Sequence, residues 1–124
     1  MKKLKNLIPA LFILMMSVSA FSLNPETKLI GKWKFETNQA PWEYQKGEIV
    51  FEQSDDGLTG RVLFDRAGNV RISRIDIDNE SELITLTLYV EGALVKVIGT
   101  IDNDKISGHA EVDYNKMVFS AEKL

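Results

Sequence analysis

The sequence predicts an all-β fold, an eight-stranded antiparallel up-and-down meander barrel, and three observations carry that prediction. From Ile30 onward the chain is a succession of short segments in which apolar and polar residues alternate, the two-residue period of a half-buried strand. Most segments are joined by short connections rich in Gly, Asn and Asp, so consecutive strands pair as hairpins. No segment in this region carries apolar residues at helical spacing over a usable length. A flat meander of eight strands leaves two unpaired edges, and closing it removes both. A two-sheet β-sandwich is the alternative architecture.

The first twenty residues are set apart from that fold. Met1-Lys2-Lys3-Leu4-Lys5 is basic, Leu7 to Met16 is apolar, and Ser17-Val18-Ser19-Ala20 is small, the layout of a cleavable export signal. Cleavage is expected after Ala20 or after Ser22. The apolar run is too short for a retained anchor and has no stop-transfer charges behind it. Removing Lys2, Lys3 and Lys5 with the signal takes the formal charge from −3 to −6. An acidic domain without a basic run is a poor match for nucleic acid or an anionic membrane. With 0 cysteines there is no lipid-bearing thiol and no disulfide, so the expected product is soluble, secreted or periplasmic, and held together by its core.

Residues 21–28 form a flexible lead-in on this reading, and 29–124 a single barrel domain. The first strand, Ile30 to Glu36, puts Trp33 and Phe35 on one face and Lys32, Lys34 and Glu36 on the other. A loop of about ten residues follows, where hairpins usually use about 2–5, and Gly47 to Gln53 resumes the alternation with Ile49 and Phe51 inward. Asp55-Asp56-Gly57 turns the chain into Leu58 to Asp65, and Arg66-Ala67-Gly68-Asn69 turns it into Val70 to Asp78. The apolar phase slips between Ile72 and Ile75, the mark of a β-bulge. Leu83 to Val90 and Ala93 to Ile101, separated by Glu91-Gly92, make the strongest hairpin signal in the chain. Asp102-Asn103-Asp104 leads to Lys105 to Val112, and Asp113 to Lys116 leads to the last strand, Met117 to Lys123. Gly60 and Gly108 stand inside strands after similar acidic turns, and a strand glycine marks a bend or a close backbone approach.

Gly31-x-Trp33 opening the first strand of such a meander resembles the calycin group of barrels, the lipocalins, avidins and bacterial relatives. Gly31-x-Trp33-x-Phe35, Ala40-Pro41, Tyr44-x-x-Gly47, Leu58-Thr59-Gly60 and Leu86-x-Leu88-Tyr89-Val90-Glu91-Gly92 together resemble small secreted bacterial domains of this type. The resemblance implies that Gly31 and Trp33 close one end of the barrel and that a basic side chain near the C-terminus, here Lys123, packs over the indole. Such a cation–π contact is worth about 0.5–2 kcal/mol. The chain departs from lipocalins in its length and in lacking a helix after the barrel. It departs from avidins in having no tryptophan after Trp42, which argues against biotin.

Among candidate functional residues, Pro41, Trp42, Glu43 and Tyr44 stand out. A loop with two large rings at a barrel mouth is suited to cover a small apolar ligand, with Glu43 or Gln45 fixing polarity; equally, Trp42 could serve as a plug. On the outer faces Leu83, Tyr89, Leu94 and Ile98 are more apolar than a solvated wall requires and suggest a protein partner or self-association. His109 is the sole histidine, faces outward beside Ser107 and Glu111, and reads as surface rather than as part of a triad. Asp76-x-Asp78-x-Glu80-x-Glu82 has the oxygen density of a calcium loop, but Ser81 stands where an EF-hand needs glycine. No phosphate-binding glycine motif is present, and Asn79-Glu80-Ser81 is a glycosylation sequon meaningful only in a eukaryotic secretory host. The expectation is a non-catalytic binding module without cofactor or metal, taking a small apolar ligand at the mouth under the 37–46 loop. The alternative is a protein-interaction module, such as a periplasmic protease inhibitor using Phe21 to Lys28 as its arm, or an accessory domain of an exported enzyme.

Overall fold

The computed structural model describes residues 25–124. The export signal expected over 1–20, and residues 21–24 of the lead-in, lie outside the described residues. One turn of helix, α1 (Pro25–Leu29), precedes eight strands: β1 (Gly31–Glu36), β2 (Lys46–Ser54), β3 (Gly57–Phe64), β4 (Gly68–Asp78), β5 (Leu83–Val90), β6 (Ala93–Asp102), β7 (Lys105–Val112) and β8 (Asn115–Lys123).

Each strand pairs antiparallel with its predecessor, and β8 returns to β1 through Trp33↔Lys123, Lys34↔Glu122, Phe35↔Ala121 and Glu36↔Ser120. That last pairing closes the barrel and removes the sandwich alternative. Local chemistry sets the turns. Glu91 and Gly92 both take positive φ, 51° and 84°, the conformation whose twist matches a two-residue hairpin, so β5 and β6 stay in register from Val90↔Ala93 to Leu83↔Thr100. The phase slip in β4 is a register shift between Ile72 and Arg74, with Ser73 as the extra residue. Gly99 and Gly108 face one another across β6 and β7. A Cβ on Gly108 would lie 1.9 Å from the Ile98 carbonyl oxygen and 2.5 Å from Gly99 Cα, so close backbone approach accounts for this glycine.

The lead-in does not behave as a flexible arm where it is described. Residues 25–29 form α1, Leu29 is fully buried, and the Lys28 ammonium sits 3.1 Å from the Glu82 carboxylate. Amphipathic patterning cannot be read from five residues, which is why a single turn of helix escapes the periodicity. Its role is to cap one end of the barrel. Trp33 Nε1 donates to the Leu29 carbonyl at 2.8 Å, and Lys123 Nζ donates to the Lys28 carbonyl at 2.9 Å. These bonds satisfy carbonyls at the helix C-terminus that have no partner within the helix.

Lys123 Nζ also lies 5.6 Å from the Trp33 ring centroid. Gly31, at φ +129°, leaves room for the same side chain, since a Cβ there would come within 3.1 Å of Lys123 Cε. At this end the interior is filled by Trp33, Phe51, Ile72, Ile84, Ile101 and Ile106, all buried.

Candidate functional site

The other half of the barrel is not filled. A half-enclosed cavity of about 350 Å³ lies above the packed end, with Phe35, Ile49, Leu86, Val97, Ala110 and Phe119 deep in its wall. Inward positions of consecutive strands supply this lining because the side-chain period of two sends the same apolar set to one face of every strand. Small residues leave the space open: Ala110 and Ala93 project only methyl groups into it, and Val62, Val90, Val95, Val97 and Val112 are short. Of the nineteen residues lining the cavity, only Thr37, Tyr44 and Glu91 bring polar side-chain atoms.

The loop between β1 and β2 forms the rim. Its shape comes from its own hydrogen bonds: the Thr37 amide donates to the Gln45 carbonyl at 2.8 Å, Ala40 N to the Thr37 carbonyl at 3.1 Å, and Tyr44 N to the Pro41 carbonyl at 2.8 Å. Gln45 Nε2 ties the inside of the loop to the carbonyls of Asn38 (3.2 Å) and Ala40 (3.0 Å). Gln39 Oε1 accepts from the Val118 amide at 2.7 Å, which anchors the loop to β8. Tyr44 packs edge-on against Phe64, ring centroids 5.0 Å apart, and its hydroxyl donates to the Glu91 carboxylate on the β5–β6 turn. A strap therefore crosses the mouth from one loop to another. The bond to Glu91 first, then desolvation and the negative charges of Glu91 and Glu43, push the Tyr44 hydroxyl up to about 12.

The structure divides the four residues expected to hold a ligand. Pro41 and Tyr44 line the cavity; Trp42 and Glu43 do not. Trp42 is 62% exposed, and the Arg66 guanidinium lies 4.2 Å from its ring centroid, on the outside of the barrel. Trp42 is thus neither lid nor plug. The short 3-10 turn Trp42–Tyr44 is the cause, since three successive residues of such a turn point in three directions and only one can face inward. Sequence reasoning missed Thr37 and Glu91. Thr37 carried a weak signal, as a hydroxyl residue continuing the inward parity of Trp33 and Phe35.

The proposed outer patch is split. Tyr89 pairs with Leu94, Thr87 with Lys96 and Thr85 with Ile98. The Thr87–Lys96 level, with Glu111 beside Lys96, therefore lies between Leu94 and Ile98, same-face levels being about 7 Å apart. Leu83, Tyr89 and Leu94 are exposed and Ile98 is half-buried, so the four do not form one continuous apolar surface.

His109 is outside the barrel, 3.0 Å from the Glu111 carboxylate, and does not line the cavity. The acidic series has other engagements: Asp76 pairs with Arg74 at 2.9 Å, Asp78 accepts from the Glu80 amide at 3.1 Å, and Glu82 pairs with Lys28. Among the described residues no group of three potential metal ligands comes together.

No protein-family model matches this chain, and no curated protein matches it. Among solved structures it is similar to a Schistosoma mansoni fatty acid binding protein in complex with arachidonic acid, at 15% identity and a TM-score of 0.55, over 81% of this chain and 98% of that one. A likeness at that identity is one of fold. The chain is a closed, eight-stranded, calycin-like β-barrel.

Proposed function

We propose that this protein is a secreted, non-catalytic binding module that holds a small apolar ligand in the mouth half of the barrel, beneath the strap from Thr37 to Tyr44. The observation that carries the reading is the division of the interior. One half is packed with large side chains, whereas the other keeps a cavity of about 350 Å³ walled almost wholly by apolar groups. Volumes of roughly 300–1,000 Å³ with a few placed polar groups are typical of ligand sites. The fold shared with a fatty acid binding protein supports the same reading. Export rests on the N-terminal segment; N-terminal sequencing of protein recovered outside the cytoplasm should begin at Phe21 or Leu23.

Catalysis has little to work with in the cavity, because its wall includes no serine, histidine, lysine or arginine. Inhibition through an N-terminal arm loses support, because residues 25–28 are folded onto the barrel end.

The test uses a neutral fluorescent probe, N-phenyl-1-naphthylamine, since neither tryptophan lines the cavity. Saturable enhancement in the wild type, abolished in Ala110→Phe and in Val97→Phe with unchanged far-UV circular dichroism, is the expected result. Enhancement that survives both fillings, or none in folded wild type, removes the reading.

A further inference from the structure

On the reading that the cavity holds an apolar ligand, we propose that the ligand is an aliphatic amine, its chain in the cavity and its ammonium at the mouth, and that the Glu91 carboxylate selects it over a carboxylate of the same length.

The wall decides where a charged group can sit. Phe35, Ile49, Leu86, Val97, Ala110 and Phe119, deep in the cavity, offer no polar side-chain atom. A charge placed there loses its hydration and gains no partner, so it stays at the mouth. The polar side chains of the wall all come from the mouth connections, Thr37 and Tyr44 from the β1–β2 loop and Glu91 from the β5–β6 turn. The Thr37 hydroxyl is buried, and the Tyr44 hydroxyl is engaged with Glu91. Glu91 is exposed and remains the charged group of the wall.

The surroundings of Glu91 decide the sign of the ligand's head. None of the residues lining the cavity is cationic. Lys46, Arg66 and Lys116, on or beside the mouth-end turns, are not in the wall; Arg66 is held over the outer face of Trp42, and Lys116 lies 4.0 Å from the Glu111 carboxylate. The negative charges of Glu91 and Glu43 both act on the Tyr44 hydroxyl, so the field at the mouth is negative.

The backbone supplies a further argument. Glu91 stands at φ 51°, where Asn, Asp or Gly is the usual choice, so the turn itself does not call for a glutamate. Glu82, the other glutamate at positive φ, is paired with Lys28. Glu91 has no ion-pair partner among the described residues, and with one hydrogen bond from Tyr44 its carboxylate keeps acceptor sites to spare. A ligand ammonium supplies the missing cation. Because the position is exposed, such a pair is worth a few-fold in affinity and a like charge costs a comparable factor, so the two heads differ by about tenfold.

A volume of about 350 Å³ equals roughly a dozen waters at ~30 Å³ each, hence a ligand of about a dozen non-hydrogen atoms.

Decylamine, decan-1-ol and decanoate, each of about that size, make the test, competed against N-phenyl-1-naphthylamine on the purified protein at about pH 7, where the amine and the acid are both ionised. At low salt decylamine should bind about tenfold more tightly than decanoate, with decanol between them. Glu91→Gln keeps an acceptor for Tyr44 and should bring the two ions within about threefold of each other. In the wild type, about 0.5 M salt should narrow the gap in the same way, a readout that does not depend on the variant folding. Decanoate binding as tightly as decylamine, or a preference that survives Glu91→Gln or high salt, overturns this inference and leaves the apolar-site reading standing. If none of the three displaces the probe while the filling variants still abolish probe binding, the amine assignment falls alone. If the probe does not bind, both fall.

Discussion

Replacing Lys123 by Met tests how the closed end of the barrel is held. Methionine keeps most of the aliphatic stem that passes Gly31, and removes the charged nitrogen. Two interactions go with it. The first is the charge-assisted bond from Nζ to the Lys28 carbonyl at 2.9 Å, part-buried, worth about 1.5 kcal/mol at the low end for a charged donor. The second is the placement of the ammonium 5.6 Å from the Trp33 centroid, near the outer limit for a cation–π contact and worth about 0.5 kcal/mol. The expected loss is about 2 kcal/mol. For a domain of about a hundred residues, each kcal/mol moves Tm by about 4–8 °C, so the variant should melt roughly 8–16 °C lower. Thermal unfolding followed by circular dichroism, with urea titration at fixed temperature, reads this directly. Affinity for the probe should not move at all, because Lys123 is at the end opposite the cavity. A Tm change under about 3 °C refutes the assignment of Lys123 as a clamp, and a change in probe affinity refutes the independence of the two ends.

Other perturbations give distinct results. Gly108→Ala forces a methyl group to within 1.9 Å of the Ile98 carbonyl oxygen, and should destabilise by at least about 2 kcal/mol in urea unfolding as β6 and β7 separate. Trp42→Ala should leave probe affinity unchanged and cost no more than about 1 kcal/mol, since the side chain is 62% exposed and contacts Arg66 outside the barrel. Tyr44 gives a pH signature. An unfolded tyrosine ionises near 10.0, but the hydroxyl bonded to Glu91 holds its proton until about 12. Its contribution is therefore complete below about pH 10 and is lost as pH rises towards about 12. Stability profiles of wild type and Tyr44→Phe should converge across that window, and parallel profiles would show that the strap is not formed in solution.

Reading the chain alone determined the strand order, the outline of the turns and the bulge in β4. Those follow from local rules: a period of two, short turns rich in glycine, asparagine and acidic residues, and a one-residue slip in phase. Closure also followed, because a meander of eight short strands with one apolar face has few other ways to cover its edges. The resemblance around Gly31 and Trp33 pointed to the residues that meet Lys123. The details that decide function are not local. Whether an eight-stranded barrel is filled depends on the summed volume of inward side chains at each level, and the small residues Ala93 and Ala110 open one half while Trp33, Phe51 and four isoleucines fill the other. The direction of Trp42 depended on a single 3-10 turn, and the docking of Pro25–Leu29 on a partner, Glu82, more than fifty residues away. Thr37 shows the limit most clearly. In the sequence it is one more polar residue at the start of a loop; only the folded barrel buries it and leaves its hydroxyl without a hydrogen-bond partner among the described residues.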